Sequence, residues 1–167
     1  FYAARLWWIL ELLGHQNKQI IDGGLPAWIA AEGPVDSGSP MVAPGSAPYQ
    51  ATPNLGVLAN IADVEMAVAT GEPVLVDART STEFAKGHIP GAVNVPFLDN
   101  AEPDSGGRWR SPAELREMYE SVGASLDKPV IPYCSTGVRS ANTYFTLRAI
   151  GYPDVKLFSG SFAEWTS

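Results

Sequence analysis

Pro129-Val130-Ile131-Pro132-Tyr133-Cys134-Ser135-Thr136-Gly137-Val138-Arg139-Ser140 is the stretch on which the fold turns. A short apolar run gives way to a polar, glycine-containing loop, and a helical pattern over residues 142–150 follows. The same alternation recurs upstream and downstream. Val74-Leu75-Val76-Asp77, flanked by Gly71 and Pro73, reads as a buried strand, as do Ala92-Val93-Asn94-Val95 and Val155-Lys156-Leu157-Phe158. Helix starts lie between them: Asn60 ahead of 61–69, Ser81 ahead of Thr82-Glu83-Phe84, and Ser111-Pro112-Ala113-Glu114, a capping box with proline in the first turn. Strands alternating with helices predict an α/β fold with a parallel sheet and helices on both faces. Ligands of such sheets bind beyond the carboxyl ends of the strands, which is where Cys134 falls.

Composition narrows the function. The chain has 167 residues, 46% hydrophobic and 17% charged, as in a soluble globular protein, and no apolar run approaches the roughly 18 residues of a membrane span. Net charge is -7 and the basic residues do not cluster, which argues against nucleic acid as a partner. A lone cysteine with two scattered histidines, His15 and His88, builds neither a disulfide nor a cysteine-based zinc site, so no metal or cofactor is expected. Compartment stays open, with the cytoplasm favoured, and the oligomeric state is not legible.

An internal repeat organises the rest. Gly14 and Gly151, Gly23 and Gly160, and Trp28 and Trp165 are each 137 residues apart, and the segment 13–28 parallels 150–165 without a gap. Residues 1–33 therefore read as the last helix, strand and short helix of a first domain that lacks its front. Residues 34–54, with Pro34, Pro40, Pro44, Pro48 and Pro53, read as a linker, and 55–167 as a complete second copy. The start at Phe1, without methionine, fits a piece of a longer chain. The apolar helix carrying Leu6, Trp7, Leu10 and Leu13 has to pack on the second copy, pair with another chain or stay poorly ordered, which predicts awkward solubility.

Cys134 is the residue with chemistry. A thiol is nucleophilic as thiolate, and its pKa falls at a helix N-terminus or beside a cation. The loop Cys134, Ser135, Thr136, Gly137, Val138, Arg139 feeds a helix, so its N–H groups should converge on the sulfur. Gly137 permits the tight turn, and Arg139 supplies a cation suited to an anionic oxygen group. Arg79, at the end of a predicted strand, is either a second docking cation or the partner of Glu83 in a salt bridge. Asp77 reads as structural, His88 as the holder of the Ile89-Pro90-Gly91 turn, and Arg108, Trp109 and Arg110 as a solvated loop rather than a pocket edge. A small buried hydrophobe is the competing reading of Cys134.

The segment from Tyr133 to Ser140, with Asp77-Ala78-Arg79, Gly87-His88-Ile89-Pro90-Gly91-Ala92-Val93-Asn94-Val95-Pro96 and Gly160-Ser161-Phe162-Ala163-Glu164-Trp165, resembles the catalytic domain of tandem-domain rhodaneses over residues 55–167. The resemblance implies a rhodanese-like sheet and a first domain that is inactive. It implies thiosulfate as small-molecule sulfur donor, a Cys134 persulfide, and cyanide or a thiol as acceptor.

Three other readings compete. Phosphatases of the Cys-x5-Arg type have a loop one residue longer than the Cys-x4-Arg spacing of Cys134 and Arg139, and arsenate reduction falls with them. Sulfurtransferases acting on 3-mercaptopyruvate resemble a Cys-Gly-Ser-Gly-Val-Thr loop, whereas this one carries Ser135, Thr136 and Arg139. A non-enzymatic sulfur carrier is the third.

Overall fold

The predicted strands form, each no longer than its apolar run, and one unannounced strand joins them. The structure, a computed structural model, describes residues 2–39 and 48–167, so the linker prolines Pro40 and Pro44 lie outside the described residues. The order is α1 (Tyr2–Leu12), α2 (Gly24–Ala30), β1 (Leu58–Ala59), α3 (Ile61–Thr70), β2 (Val74–Asp77), α4 (Ser81–Lys86), β3 (Val93–Asn94), α5 (Pro112–Ser121), β4 (Val130–Tyr133), α6 (Ser140–Ala149), β5 (Leu157–Phe158) and α7 (Ser161–Trp165). β1 has two residues, too few to show a period in the sequence.

Helix starts follow local chemistry. Asn60 accepts from the Asp63 N–H at 3.1 Å while the Asp63 carboxylate takes the Asn60 N–H at 2.8 Å, and Ser111 and Glu114 form the same reciprocal cap. α4 departs from the reading by one residue: Thr80, not Ser81, is its cap, because the box needs its acid three residues on, at Glu83.

All strand pairs are parallel. β2 lies between β3 and β4, and β1 pairs with β5. The two groups touch through the single bridge Val130–Val155. Pro132 explains why the ladder stops there. Val130 donates to Asp154 and accepts from Lys156, so Pro132, two residues on, faces the same neighbour and has no N–H to give.

Side chains alternate across the sheet. Val76, Val130 and Leu157 pack with Leu115 and Tyr119 of α5 and Ala141, Tyr144 and Leu147 of α6. Leu75, Ile131, Tyr133 and Phe158 face the other way, onto Val64 and Ala67 of α3 and Phe162 and Trp165 of α7. The sheet is covered on both faces, as the sequence predicts.

α1 packs on residues 55–167, through Trp7 of the stripe the sequence suggested but with Ala4 and Trp8 innermost. Its inward face is Ala4 and Trp8, one helical turn apart, with Trp8 only 2% exposed and its Nε1 donating to the Val57 carbonyl at 3.3 Å. Trp7 meets the edge of Phe145 on α6 at a centroid distance of 5.1 Å, whereas Leu6 is 58% exposed. The indoles bury more apolar area than the leucines, so the helix is rotated toward them. The end of the linker is docked as well: Thr52 and Asn54 donate backbone N–H groups to Leu13 and Leu12 at 3.1 and 2.8 Å.

The sequence repeat has a structural counterpart. Shifted by 137 residues, α1 falls on α6 and α2 on α7. Residues 18–21, the counterpart of β5, form no strand; they have no ladder neighbour among the described residues.

Candidate active site

β4 delivers Cys134 to the carboxyl edge of the sheet, and α6 begins at Ser140. Between them the chain turns at Gly137, whose φ of +82° and close approach to the Ser159 carbonyl leave no room for a Cβ. Cys134 itself is 1% exposed. Its backbone continues the direction of β4 although no strand remains to pair with it. The Cys134 N–H donates to Ser161 Oγ at 3.1 Å, and its carbonyl accepts from the Phe162 N–H at 3.0 Å. The next carbonyl, of Ser135, takes the Ala163 N–H at 3.1 Å. The first turn of α7 thus serves the loop as a ladder partner. Ser161 adopts φ +58° to do so, a left-handed conformation unusual for a residue with a Cβ, and its hydroxyl is passed on to the Phe158 carbonyl at 2.9 Å.

The sulfur is electrostatically prepared. Burial pushes the Cys134 thiol up, but the Ser140 hydroxyl and the backbone N–H groups of Ser140, Thr136 and Arg139 outweigh it and hold the thiol below its ordinary value. The Ser140 hydroxyl is buried without a hydrogen-bond partner among the described residues, and its nearness lowers the thiol. α6 has no side-chain cap, which leaves its first amides to the sulfur. A thiol held low at a helix N-terminus is suited to nucleophilic chemistry.

The cations are arranged differently from the expectation. Arg139 grips Glu83 through both terminal nitrogens at 2.8 Å, and one of them also donates to Ser135 Oγ at 2.6 Å. That guanidinium holds the Glu83 carboxyl well below the usual carboxylate range, against burial and aided by Thr80. Glu83 is therefore the partner of Arg139, and the expected Arg79–Glu83 bridge does not form. Arg79 is buried and bonded to Asp77, with Nη2 2.6 Å from Oδ2, a second bond to the Gly87 carbonyl at 2.7 Å, and Phe162 beneath it at 4.0 Å. Asp77, fully buried, orients this arginine, in keeping with the structural role read for it.

A third arginine enters from α1. Arg5 of α1 donates Nη1 to the Gly137 carbonyl at 3.2 Å and Nη2 to Ser159 Oγ at 3.1 Å. Sequence reasoning missed it, because nothing in the segment around Arg5 announces a contact with a loop so distant in the chain. Ser161 had a faint signal: it stands where the first copy has Gly24, itself at φ +60°. Glu83 was read in the sequence as an alternative partner of Arg79, not of Arg139.

The remaining loop residues sort by depth. Thr136 is exposed at the rim, Val138 half-buried, and Gly137 buried beneath them. His88 does not hold the turn after it; its Nδ1 reaches back to the Phe84 carbonyl at 2.9 Å, and Tyr133 Oη takes the Ile89 N–H at 3.1 Å instead. Nor is Trp109 a solvated residue: its indole donates to Thr146 at 2.8 Å and packs on Phe145, while its backbone N–H meets Asp22 of the first copy at 2.9 Å. Among the described residues no group of acidic, histidine and cysteine side chains forms a metal cluster. Among the described residues no helix is long and apolar enough to cross a membrane.

Comparison with known proteins agrees with this geometry. A thiosulfate sulfurtransferase of Pseudomonas aeruginosa is 34% identical over 172 residues, covering 98% of this chain and 62% of the relative. The human 3-mercaptopyruvate sulfurtransferase is 30% identical over 176 residues, covering 99% and 58%. The crystal structure of SseA from Escherichia coli, a 3-mercaptopyruvate sulfotransferase, superposes with a TM-score of 0.85 at 30% identity, over 97% of this chain and 63% of that one. The chain spans about three fifths of the length of these relatives. The pattern of the rhodanese-like domain covers residues 60–167, from the cap of α3 to the last residue and including the whole Cys134 loop. The chain belongs to the rhodanese-like domain family.

Proposed function

We propose that the chain is a sulfurtransferase that moves a sulfane sulfur from thiosulfate to cyanide or a thiol through a persulfide on Cys134. The observation that carries the reading is the Cys134 sulfur at the start of α6, held low by Ser140, Thr136 and Arg139. Those same groups suit the terminal sulfur of a persulfide anion, which is why the sulfur can be stored between two half-reactions.

The first half-reaction balances without a proton. The Cys134 thiolate attacks the outer sulfur of thiosulfate; a new S–S bond forms, the old one breaks, and sulfite leaves with the bonding pair. In the second, cyanide attacks the terminal sulfur, thiocyanate leaves and the thiolate is restored. With 3-mercaptopyruvate as donor, the thiol proton of the donor ends on the methyl carbon of pyruvate, a transfer that calls for an acid near the sulfur. The short Cys-x4-Arg loop supports sulfur over phosphate, and Arg139, although paired with Glu83, is the loop's own cation for an oxyanion donor.

Residues 1–33 are read as the closing part of a first homologous unit, 34–54 as the connection and 55–167 as the catalytic unit. The correspondence of α1 with α6 and α2 with α7 supports this division.

Intact-mass spectrometry tests the function. Incubation with thiosulfate should add one sulfur, about 32 Da, and cyanide should remove it. Cys134→Ser should show neither. No adduct with either thiosulfate or 3-mercaptopyruvate rejects the sulfurtransferase reading, and an adduct with 3-mercaptopyruvate alone changes the donor.

A further inference from the structure

Three arginines surround the Cys134 loop, and two of them are in ion pairs. Arg139 pairs with Glu83 at 2.8 Å while also acting on Cys134, and Arg79 pairs with Asp77 at 2.6 Å. Arg5 has no carboxylate partner among the described residues. Its hydrogen bonds go to a backbone carbonyl and a hydroxyl, and its guanidinium lies 4.6 Å over the Trp8 ring. An arginine that is partly desolvated yet unpaired projects its charge onto whatever anion is near, and the anion at this loop is the sulfur.

The position is as telling as the charge. Gly137 is the point where the loop reverses, and Ser159 lies against it with no room between the two backbones. A guanidinium bonded to both clamps the turn to the segment that follows β5. Loop amides aim at the sulfur only while that turn is kept, so a clamp on the Gly137 carbonyl preserves their direction. The fork of arginine spans the two acceptors; a lysine ammonium cannot.

We propose that Arg5, borne by the helix of the first repeat copy, is a positioning residue for Cys134: it clamps Gly137 to Ser159, keeps the loop amides on the sulfur and supplies the uncompensated positive charge that stabilises its anion. The first copy then contributes to the chemistry of the second, although its own residues touch no reacting atom. The inference deepens the sulfurtransferase reading and rests on it only for the rate of transfer, because the state of the thiol is measured without any donor.

The other charged groups about the loop are Asp77 and Arg79 at the end of β2, Glu83 on α4, Arg139 ahead of α6 and Glu164 on α7. All of these except Glu164 are in ion pairs. Burial lowers the Arg5 guanidinium, while the neighbouring Cys134 raises it, the reciprocal of the effect proposed.

The test is the thiolate absorbance of the full chain against pH, with iodoacetamide alkylation rates as a second readout. Arg5→Gln should move the Cys134 midpoint up by about one pH unit, equivalent to about a tenfold loss of thiolate at a pH below both midpoints. Arg5→Lys should recover part of that shift, since it restores the charge without the fork. Ser159→Ala, which removes one end of the clamp and leaves Arg5 in place, should give a smaller upward shift and serves where Arg5→Gln does not fold. Wild-type midpoints in the folded Arg5 and Ser159 variants overturn the proposal. If the midpoint shifts but wild-type protein accepts no sulfur, the proposed activity fails while the role of Arg5 stands.

Discussion

The backbone N–H of Cys134 donates to the hydroxyl of Ser161 at 3.1 Å, and Ser161 holds a left-handed φ of +58° to receive it. Neither half of this relationship is favourable alone. A buried N–H at the end of β4 has lost its ladder partner, and a serine in that conformation costs about 1 kcal/mol or more. Together they fix the depth of the nucleophile.

Two substitutions separate those halves. Ser161→Gly removes the hydroxyl and relieves the backbone, while Ser161→Ala removes the hydroxyl and keeps the strain. Ser161→Ala should cost about 2 kcal/mol in urea unfolding and Ser161→Gly about 1 kcal/mol less. Equal losses in the two would show that the left-handed backbone is not strained.

Cys134 should alkylate with a pH midpoint below that of a free cysteine, about 8.5, because the amides and the Ser140 hydroxyl outweigh burial. The sign carries into stability. A thiol whose folded pKa is depressed favours folding above its unfolded pKa, and that gain is lost as pH falls through the folded value. Relative to Cys134→Ser, wild-type protein should therefore gain stability as pH rises across that interval, measured by urea unfolding at several pH values.

Glu83→Gln should free Arg139 for anions. A dianionic donor now competes with the Glu83 carboxylate for both nitrogens, so the variant should bind thiosulfate more tightly and show a lower KM, by about twofold to tenfold. Stability should fall by less than about 1 kcal/mol, since the pair is partly exposed and screened. Because the folded pKa of Glu83 lies below the unfolded one, the wild-type advantage should be full at about pH 7 and fade as pH falls below about 4. An unchanged KM would show that Glu83 does not guard Arg139.

Trp8→Ala should be the most damaging change in α1. It empties a fully packed site and orphans the Val57 carbonyl, which costs about 3–5 kcal/mol in urea unfolding. The same variant should raise the Cys134 midpoint, because Arg5 rides on the helix that Trp8 anchors. Leu6→Ala, on the exposed face, should change stability by less than about 0.5 kcal/mol.

Much of this was legible in the chain. The alternation of short apolar runs with capped helices led to a parallel sheet, since period, cap and turn signals are local. The place of Cys134 between a strand and a helix was legible for the same reason. Boundaries drifted where two rules compete: α4 is capped by Thr80 rather than Ser81 because Glu83 sets the register of the box, and β4 loses its neighbour where Pro132 has no proton to offer. α1 was recognised as an apolar helix in need of cover, and Trp7 of its stripe packs, but Trp8 rather than the leucines lies innermost because aromatic area outweighs them.

The identity of the charges at the site was beyond the sequence. Arg79, Arg139 and Glu83 each had several partners within plausible reach, and only the packing of α4, α6 and α7 paired Arg139 with Glu83 and Arg79 with Asp77. Arg5 could be found in no other way, since its contact with Gly137 joins the two ends of the chain. The sequence by itself determined the strand–loop–helix unit around Cys134, carried by residues near one another in the chain. The tertiary structure decided which cation is left unpaired beside the sulfur, because ion pairing depends on distances across elements that no local pattern encodes.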